Sequence, residues 1–327
     1  MGESRPPAER RPAPRVDGVT AVILTHMRPS LAGDVARSLI GREGLSPDQV
    51  VVVVNGVGGL DDPGLEASVR MVRLPGNLGP AGGFLVGMTE AFSDPSTRWA
   101  YLCEDDIGLL PLPSPRLGDL LERIGARESR GHRVGAVVAF GRDFVGRGSH
   151  TVNVVPPEGT PDDLDLTDVG SWGATVMSRD VFDAGVLPDT EWYFGLEDFD
   201  FYCRIRAAGY EVLVDARAAR QVAAQQSTAG RDQALRTRRP TDVDEAWRAY
   251  YHARNSFAIA RRHGRPSWHA WHLAYSVRRL QRARGGAERR AIAHGLWDGA
   301  RGRLGEHPRY RRKIGETASG VSGESTS

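Results

Sequence analysis

The chain has 327 residues, 40% hydrophobic and 26% charged, with 43 Lys plus Arg against 41 Asp plus Glu and a formal net charge of +2. These figures exclude a disulfide-held mini-protein and a disordered chain, and they allow one large α/β domain or two smaller ones. The longest aliphatic run, Val50 to Val54, is far shorter than the ~20 apolar residues of a membrane-spanning helix.

Residues 1–17 are Pro- and Arg-rich without the apolar stretch of a secretory signal, and read as a disordered lead-in to a cytoplasmic protein. From Val19, β-branched runs alternate with helical patterns: Val19 to Thr25, Leu31 to Ile40, Val50 to Asn55, Val69 to Leu74, Gly82 to Phe92 and Trp99 to Cys103. Strands alternating with helices of this length imply βαβ units and a mostly parallel sheet covered on both faces. Further strands are expected at Val134 to Phe140, Thr151 to Val155, Ala174 to Met177 and Glu211 to Val214. Cys103 and Cys203 lack metal-type spacing and read as buried thiols of a reducing compartment. Residues 229–241 are polar and Arg-rich and read as a linker, 242–313 as a helical region broken at Pro266 and Gly285-Gly286, and 314–327 as a disordered tail.

The neutral total conceals a split. Between Arg248 and Lys313 the net charge is +14, which leaves −12 for the rest of the chain. Such asymmetry points to two surfaces with different partners.

Three motifs carry chemistry. The strand Trp99 to Cys103 runs into Glu104-Asp105-Asp106, acids at the C-terminal end of a parallel strand, where open α/β sheets bind ligands. If the strand stays extended, Glu104 and Asp106 point to one side and can chelate Mg²⁺ or Mn²⁺ against a substrate diphosphate; a solvated acidic turn is the competing reading. Asn77-Leu-Gly79-Pro-Ala-Gly82-Gly83-Phe84 is a Gly-rich turn opening a helix, suited to close approach of an anionic ligand, although it lacks the Gly-Lys-Ser/Thr ending of a P-loop. The glycine cluster Gly56 to Gly59 is not a dinucleotide fingerprint, because Asp61-Asp-Pro-Gly64 is expected to follow it instead of a helix. Finally, Glu197 and Asp198 fall in the first turn of a helix, where the dipole favours ionised carboxylates. An anionic Asp198 there can serve as a general base, or the pair can simply cap the helix.

Together these pieces resemble a family 2 glycosyltransferase, inverting and of the GT-A fold. The start Val22-Ile-Leu-Thr25-His-Met-Arg28-Pro29, the Asn77 to Phe84 turn, Glu104-Asp105-Asp106 at the place of an Asp-x-Asp metal site, Glu197-Asp198 at the general-base motif and Tyr250-Tyr-His-Ala-Arg-Asn255 follow the family's order over about residues 18–260. Within the family the chain is most similar to bacterial galactofuranosyl- and rhamnosyltransferases acting on lipid-linked or cell-wall glycan acceptors. The resemblance implies a GT-A domain at 18–228, with a nucleotide-binding half at 18–110 and an acceptor half at 111–228. It implies a nucleotide-sugar donor held by Thr25, Arg28, Asn55, Asn77, Gly79, Gly82, Gly83 and Asp105, a divalent cation on Glu104 and Asp106, catalysis by Asp198 with Glu197, and acceptor stacking on Trp172, for which core packing is an equal contender.

The sequence departs from the family at three places. Glu104 replaces the usual Asp, Val54 replaces an Asp that contacts the nucleoside, and no His follows Gly209 to Ala219, leaving Gln225 or water as a further cation ligand. The basic helices, with Trp268, Trp271, Tyr275 and Trp297, suit the anionic inner face of a membrane; a solvated helical face packed on the catalytic domain is the competing reading, ahead of nucleic acid, for which no recognised module is present. The alternatives are a non-catalytic sugar-binding homologue and a nucleotidyltransferase on a related fold.

Overall fold

The computed structural model describes residues 15–106, 116–228, 246–283 and 285–310, and of residues 225–228 the backbone alone. The expected linker 229–241, the tail 314–327, most of the lead-in and the side chain of Gln225 lie outside these residues. The described part divides into two compact units, one from 15–145, 151–190 and 197–228, the other from 146–150, 191–196 and 246–310.

The first unit is an α/β fold on an eight-stranded, mostly parallel sheet. Its strands are β1 (Val19–Thr25), β2 (Val50–Val54), β3 (Arg70–Arg73), β4 (Trp99–Glu104), β5 (Val134–Val138), β8 (Leu164–Leu166), β9 (Thr175–Ser178) and β10 (Glu211–Asp215), in the order β3-β2-β1-β4-β9-β5-β10-β8. β6 (Gly141–Val145) and β7 (His150–Val154) form a separate two-stranded ribbon. β9 is antiparallel to β4 and β5, and β8 is antiparallel to β10; the remaining pairs are parallel. Every residue of β1 and β2 is buried, the signature of central parallel strands covered on both faces, and it explains five consecutive valines.

Helices α1 (Pro29–Gly41), α2 (Pro63–Ser68), α3 (Gly79–Phe92), α4 (Leu117–Glu128), α5 (Arg179–Asp183), α6 (Glu197–Ala207) and α7 (Ala216–Thr228) flank the sheet. α2 corrects one expectation, for Asp62-Pro63 begins a helix after all: Asp62 accepts from the Gly64 and Leu65 amides at 3.0 and 3.1 Å, and Pro63 takes the first helical position. At α4 the Glu43 carboxylate, which follows α1, accepts from the Arg116 and Leu117 amides at 2.6 and 2.8 Å, a cap delivered from far along the chain. Val16, assigned to the lead-in, is buried in the core. Cys103 is buried and Cys203 only half-buried.

α3 lies unusually close to the sheet. A Cβ on Gly83 would come within 2.3 Å of Leu24 Cδ1, and one on Gly87 within 2.2 Å of Val22 Cγ1. Only glycine permits this approach.

The second unit holds three helices, α8 (Ala246–Arg262), α9 (Pro266–Arg282) and α10 (Gly286–Ala300). α8 and α10 meet through Gly295 and Gly299, where a Cβ would lie 2.4 Å from the Tyr250 carbonyl oxygen and 2.8 Å from that of Arg254. Tyr250, Tyr251, Ala291, Tyr310 and Tyr193 form its core. The buried Arg254 donates to the Trp192 carbonyl at 2.8 Å, and Asn255 donates to the carbonyls of Phe194 and Gly195 at 2.8 and 2.6 Å. The Tyr250 to Asn255 segment thus holds the stretch that immediately precedes α6 in sequence. No described helix is long and apolar enough to cross a membrane.

Candidate active site

Register brings three segments to one edge of the sheet. Leu24 of β1 pairs with Glu104 of β4, so Thr25 and Asp105 follow side by side. β9 runs the other way with Thr175 opposite Leu102, which carries the preceding Trp172 to the same edge. This is the carboxyl end of the parallel strands, where such sheets bind ligands. Two non-glycine residues here, Met27 and Ala174, hold positive φ angles of 60° and 57°, a cost tolerated where geometry is imposed by the surroundings.

Thr25, Arg28 and Asp105 come together. Asp105 is buried; it accepts from the Thr25 hydroxyl at 2.8 Å and from Arg28 Nε at 3.1 Å, and a second Arg28 nitrogen pairs with its other oxygen. Arg28 Nη1 also donates to Asp106 at 3.1 Å, and about two-fifths of the arginine side chain remains exposed. β4 ends at Glu104, so Asp105 and Asp106 lie in a turn and the extended geometry expected for Glu104 and Asp106 is not formed. Asp105 turns inward and Asp106 outward.

Asn55, Asn77 and Gly79 form a second group. The buried Asn55 amide donates to the Gly79 carbonyl at 3.0 Å and its oxygen accepts from the Leu78 amide at 2.8 Å, while Asn77 Oδ1 accepts from the Gly79 amide at 2.9 Å. Gly79 has φ +72°. These bonds fasten the entrance of α3 to the end of β2, so the Asn55 side chain is occupied by the loop it was expected to leave for a nucleoside. Gly82 and Gly83 are buried likewise: a Cβ on Gly82 would meet Leu78 at 2.6 Å, and Gly83 abuts Leu24. Their lack of a side chain lets the helix pack on the strand.

The acids form the third group. Glu197 and Asp198 occupy the first turn of α6, and this helix is tied to the start of β9 by the Tyr202 hydroxyl, 2.9 Å from Thr175 Oγ1 and 3.2 Å from the Ser171 carbonyl. Trp172 stacks between Phe84 and Phe201, with centroids 4.9 and 5.3 Å away, and its indole N–H points to Glu197 Oε1 at 3.4 Å. At 3% exposure Trp172 offers no free face to a sugar in this conformation.

Burial pushes the Glu104 carboxyl up to about 7, helped by the charges of Asp106, Asp198 and Asp105. Burial also raises both Glu197 and Asp198; Asp198 and Glu104 act further on Glu197, while amide hydrogen bonds and Arg142 partly offset the rise at Asp198. The carboxyls of Glu104, Glu197 and Asp198 therefore repel one another across one site. Arg142 is a charge near Asp198 that the sequence did not reveal. It lies 56 positions before Asp198 without a motif around it, and only the fold brings its charge to that carboxylate.

Among the described residues no group of three or more His, Cys, Asp or Glu side chains is arranged as a cation cage. Glu104 and Asp106 are the carboxylates that could share a cation: the Glu104 side chain makes no hydrogen bond to a described residue, and the charge of Asp106 adds to the rise that burial gives its proton affinity.

No protein-family model and no curated protein sequence matches the chain. Similar solved structures include GalNAc-T7 with UDP, GalNAc and Mn2+ (14% identity, TM-score 0.48, 61% of this chain and 42% of that one). They also include the mannosyltransferase PcManGT from Pyrobaculum calidifontis in complex with GDP-Man and Mn2+ (15% identity, TM-score 0.44, 90% and 79%). A third is A197 from STIV (8% identity, TM-score 0.32, 60% and 81%). The alignment thus spans less than half of the length of GalNAc-T7.

Proposed function

We propose that the protein is an inverting glycosyltransferase of the GT-A type, transferring a sugar from a nucleotide-diphosphate donor to a hydroxyl of a glycan or lipid-linked acceptor. Galactofuranose and rhamnose are the sugars its motifs favour. The observation that carries the reading is the convergence of Glu104 and Asp106, at the end of β4, with Asp198, at the start of α6, into one electrostatically coupled site.

In this reaction Asp198 takes the proton of the acceptor hydroxyl as its oxygen attacks the anomeric carbon, and the nucleoside diphosphate leaves from the opposite face. A carboxylate with raised proton affinity is the better base near neutral pH, and such help typically contributes ~10²- to 10⁴-fold. Glu197, whose proton affinity is raised by burial and by Asp198, keeps its proton and leaves the negative charge on Asp198. Trp172 acts as a positioning residue: its packed indole directs an N–H at Glu197. Arg28, about two-fifths exposed, is a cation on the donor side and pairs with diphosphate oxygens, while its charge partly offsets the rise that burial gives the proton affinity of Asp105. Glu104 and Asp106 would hold Mg²⁺ or Mn²⁺, which when bound supplies charge stabilisation for the departing diphosphate.

The second unit supports docking to an anionic membrane surface. On α9, Trp271, Leu273, Tyr275 and Val277 are exposed, Trp271 by 48%, beside the exposed Arg278 and Arg282. Trp297 on α10 is exposed too, with Arg301 stacked over it at 3.8 Å. Trp268, counted with them in the sequence, is a core residue packed on His272 at 4.0 Å. Basic residues near such a surface contribute about 1 kcal/mol each. Flotation with anionic liposomes is expected to recover the protein and neutral liposomes to leave it behind; equal recovery would refute electrostatic docking.

The donor is tested by thermal stabilisation with UDP- and dTDP-sugars, with and without Mn²⁺. One of these donors at 100 times its Kd stabilises the fold by about 2.7 kcal/mol. Absence of any shift with every donor contradicts the assignment.

A further inference from the structure

A cavity of about 250 Å³ opens between the β6–β7 ribbon and α7, lined by apolar side chains that include Phe140, Val154, Val155 and Val222, together with Ser171 and Arg142. Its walls are unlike a hydration pocket, because most of the lining is aliphatic or aromatic. Arg142 is the one charged group among the lining residues. The arginine backbone is fixed, its amide and carbonyl exchanging bonds with Val169 at 2.8 and 3.0 Å. Its Nε is buried without a hydrogen-bond partner among the described residues, and its guanidinium stands 5.9 Å from the Phe199 ring centroid. A buried guanidinium N–H without a partner is costly unless a ligand or water completes it, and the planar fork of an arginine matches a carboxylate or phosphate. Two lining residues relate the cavity to the acids: Ser171 precedes Trp172 in the chain, and the charge of Arg142 lowers the proton affinity of Asp198.

We propose that this cavity binds an amphiphilic anion, whose phosphate or carboxylate pairs with Arg142 and whose apolar portion fills the space between Val154, Val155 and Val222, on the acceptor side of Asp198. The acceptor-side placement rests on the transfer reaction proposed above; the binding site itself does not. The chemistry follows from the pairing of one cation with an apolar wall: inorganic anions satisfy only the first, and neutral alkyl compounds only the second.

The test is calorimetry with n-octyl phosphate, inorganic phosphate and n-octanol as probes on the full chain. Octyl phosphate is expected to bind at least ten-fold more tightly than either of the others. Arg142→Gln is expected to weaken it at least ten-fold, and Ala223→Phe, which fills the cavity from the half-buried face of α7, to weaken it similarly, with nucleotide-sugar binding unchanged in Ala223→Phe. Inorganic phosphate binding as tightly as octyl phosphate, or equal octyl phosphate affinity in wild type and Arg142→Gln, overturns the site. In a donor-turnover assay, octyl phosphate should lower kcat without raising the donor KM; a purely competitive rise in donor KM overturns the acceptor-side placement. A protein that binds octyl phosphate through Arg142 but binds no nucleotide-sugar keeps the site and loses the transferase reading, so the two failures are separable.

Discussion

Glu104 is ordinary in the sequence and unusual in its surroundings. A carboxyl whose folded-state affinity for a proton is raised from 4.5 to about 7 destabilises the fold as pH climbs between those values, because the unfolded chain gives up the proton first. Glu104→Gln is therefore expected to stabilise the protein by roughly 1–3 kcal/mol at pH 8 and hardly at all at pH 4, read as the difference between melts at the two pH values. The same variant should weaken Mn²⁺ binding, and in the wild type that binding should tighten as pH rises through about 7, where the proton no longer competes. Equal Mn²⁺ affinity at pH 6 and pH 8 would contradict its role as a ligand. At Asp198, transfer should rise with pH through a range above that of ordinary carboxylates, since the working form is the deprotonated one.

Elements are held by a few long-range devices that sequence patterns do not announce. Asp215, wholly buried at the end of β10, accepts from Arg116 Nε at 2.7 Å and from Arg123 Nη1 at 3.2 Å. Burial alone would raise its proton affinity, and the two arginines more than reverse this, so its contribution is present above the usual carboxylate range and fades as pH falls below it. Removing one member of a buried ionic group leaves an unpaired charge, and Asp215→Ala is expected to cost about 3–5 kcal/mol by denaturant unfolding. Gly87→Ala would drive a methyl into Val22 and lower stability by about 1–3 kcal/mol, whereas an unchanged melting curve would show that α3 can move off the sheet. The strands and helices with clear periodicity, such as β1, β2 and α8 to α10, were readable because burial follows the pattern directly. Short elements were not: β8 is three residues long, and α2 begins at an Asp-Pro pair that also fits a loop. Of the candidate site, the acids stood out as residue types at strand and helix ends. Asn55, Gly82, Gly83 and Trp172 make contacts within the fold that the sequence did not announce, because a polar, glycine or aromatic residue looks the same in sequence whether it meets a ligand or another part of the fold.

At the scale of the whole molecule, the near-zero net charge is a cancellation between an acidic α/β unit and a basic helical one. In the helical unit the His252 and His272 rings lie tilted against each other with centroids 5.4 Å apart, and burial lowers them to about 4 and about 3. Each is neutral in the fold and charges readily once unfolded, so its contribution is complete above 6.5 and declines as pH falls toward those values. Lowering the pH from 7.5 to 5 should therefore remove about 2 kcal/mol for His272, a loss that His272→Gln would suppress. A function that joins a soluble donor to an acceptor at an anionic surface would use both halves of the split, and everything in that account depends on Asp198. Its most direct test is donor turnover by Asp198→Asn beside wild type, with nucleotide-sugar binding measured on both. The account predicts retained donor binding with turnover reduced by ~10²-fold or more; near-wild-type turnover in the variant would contradict it.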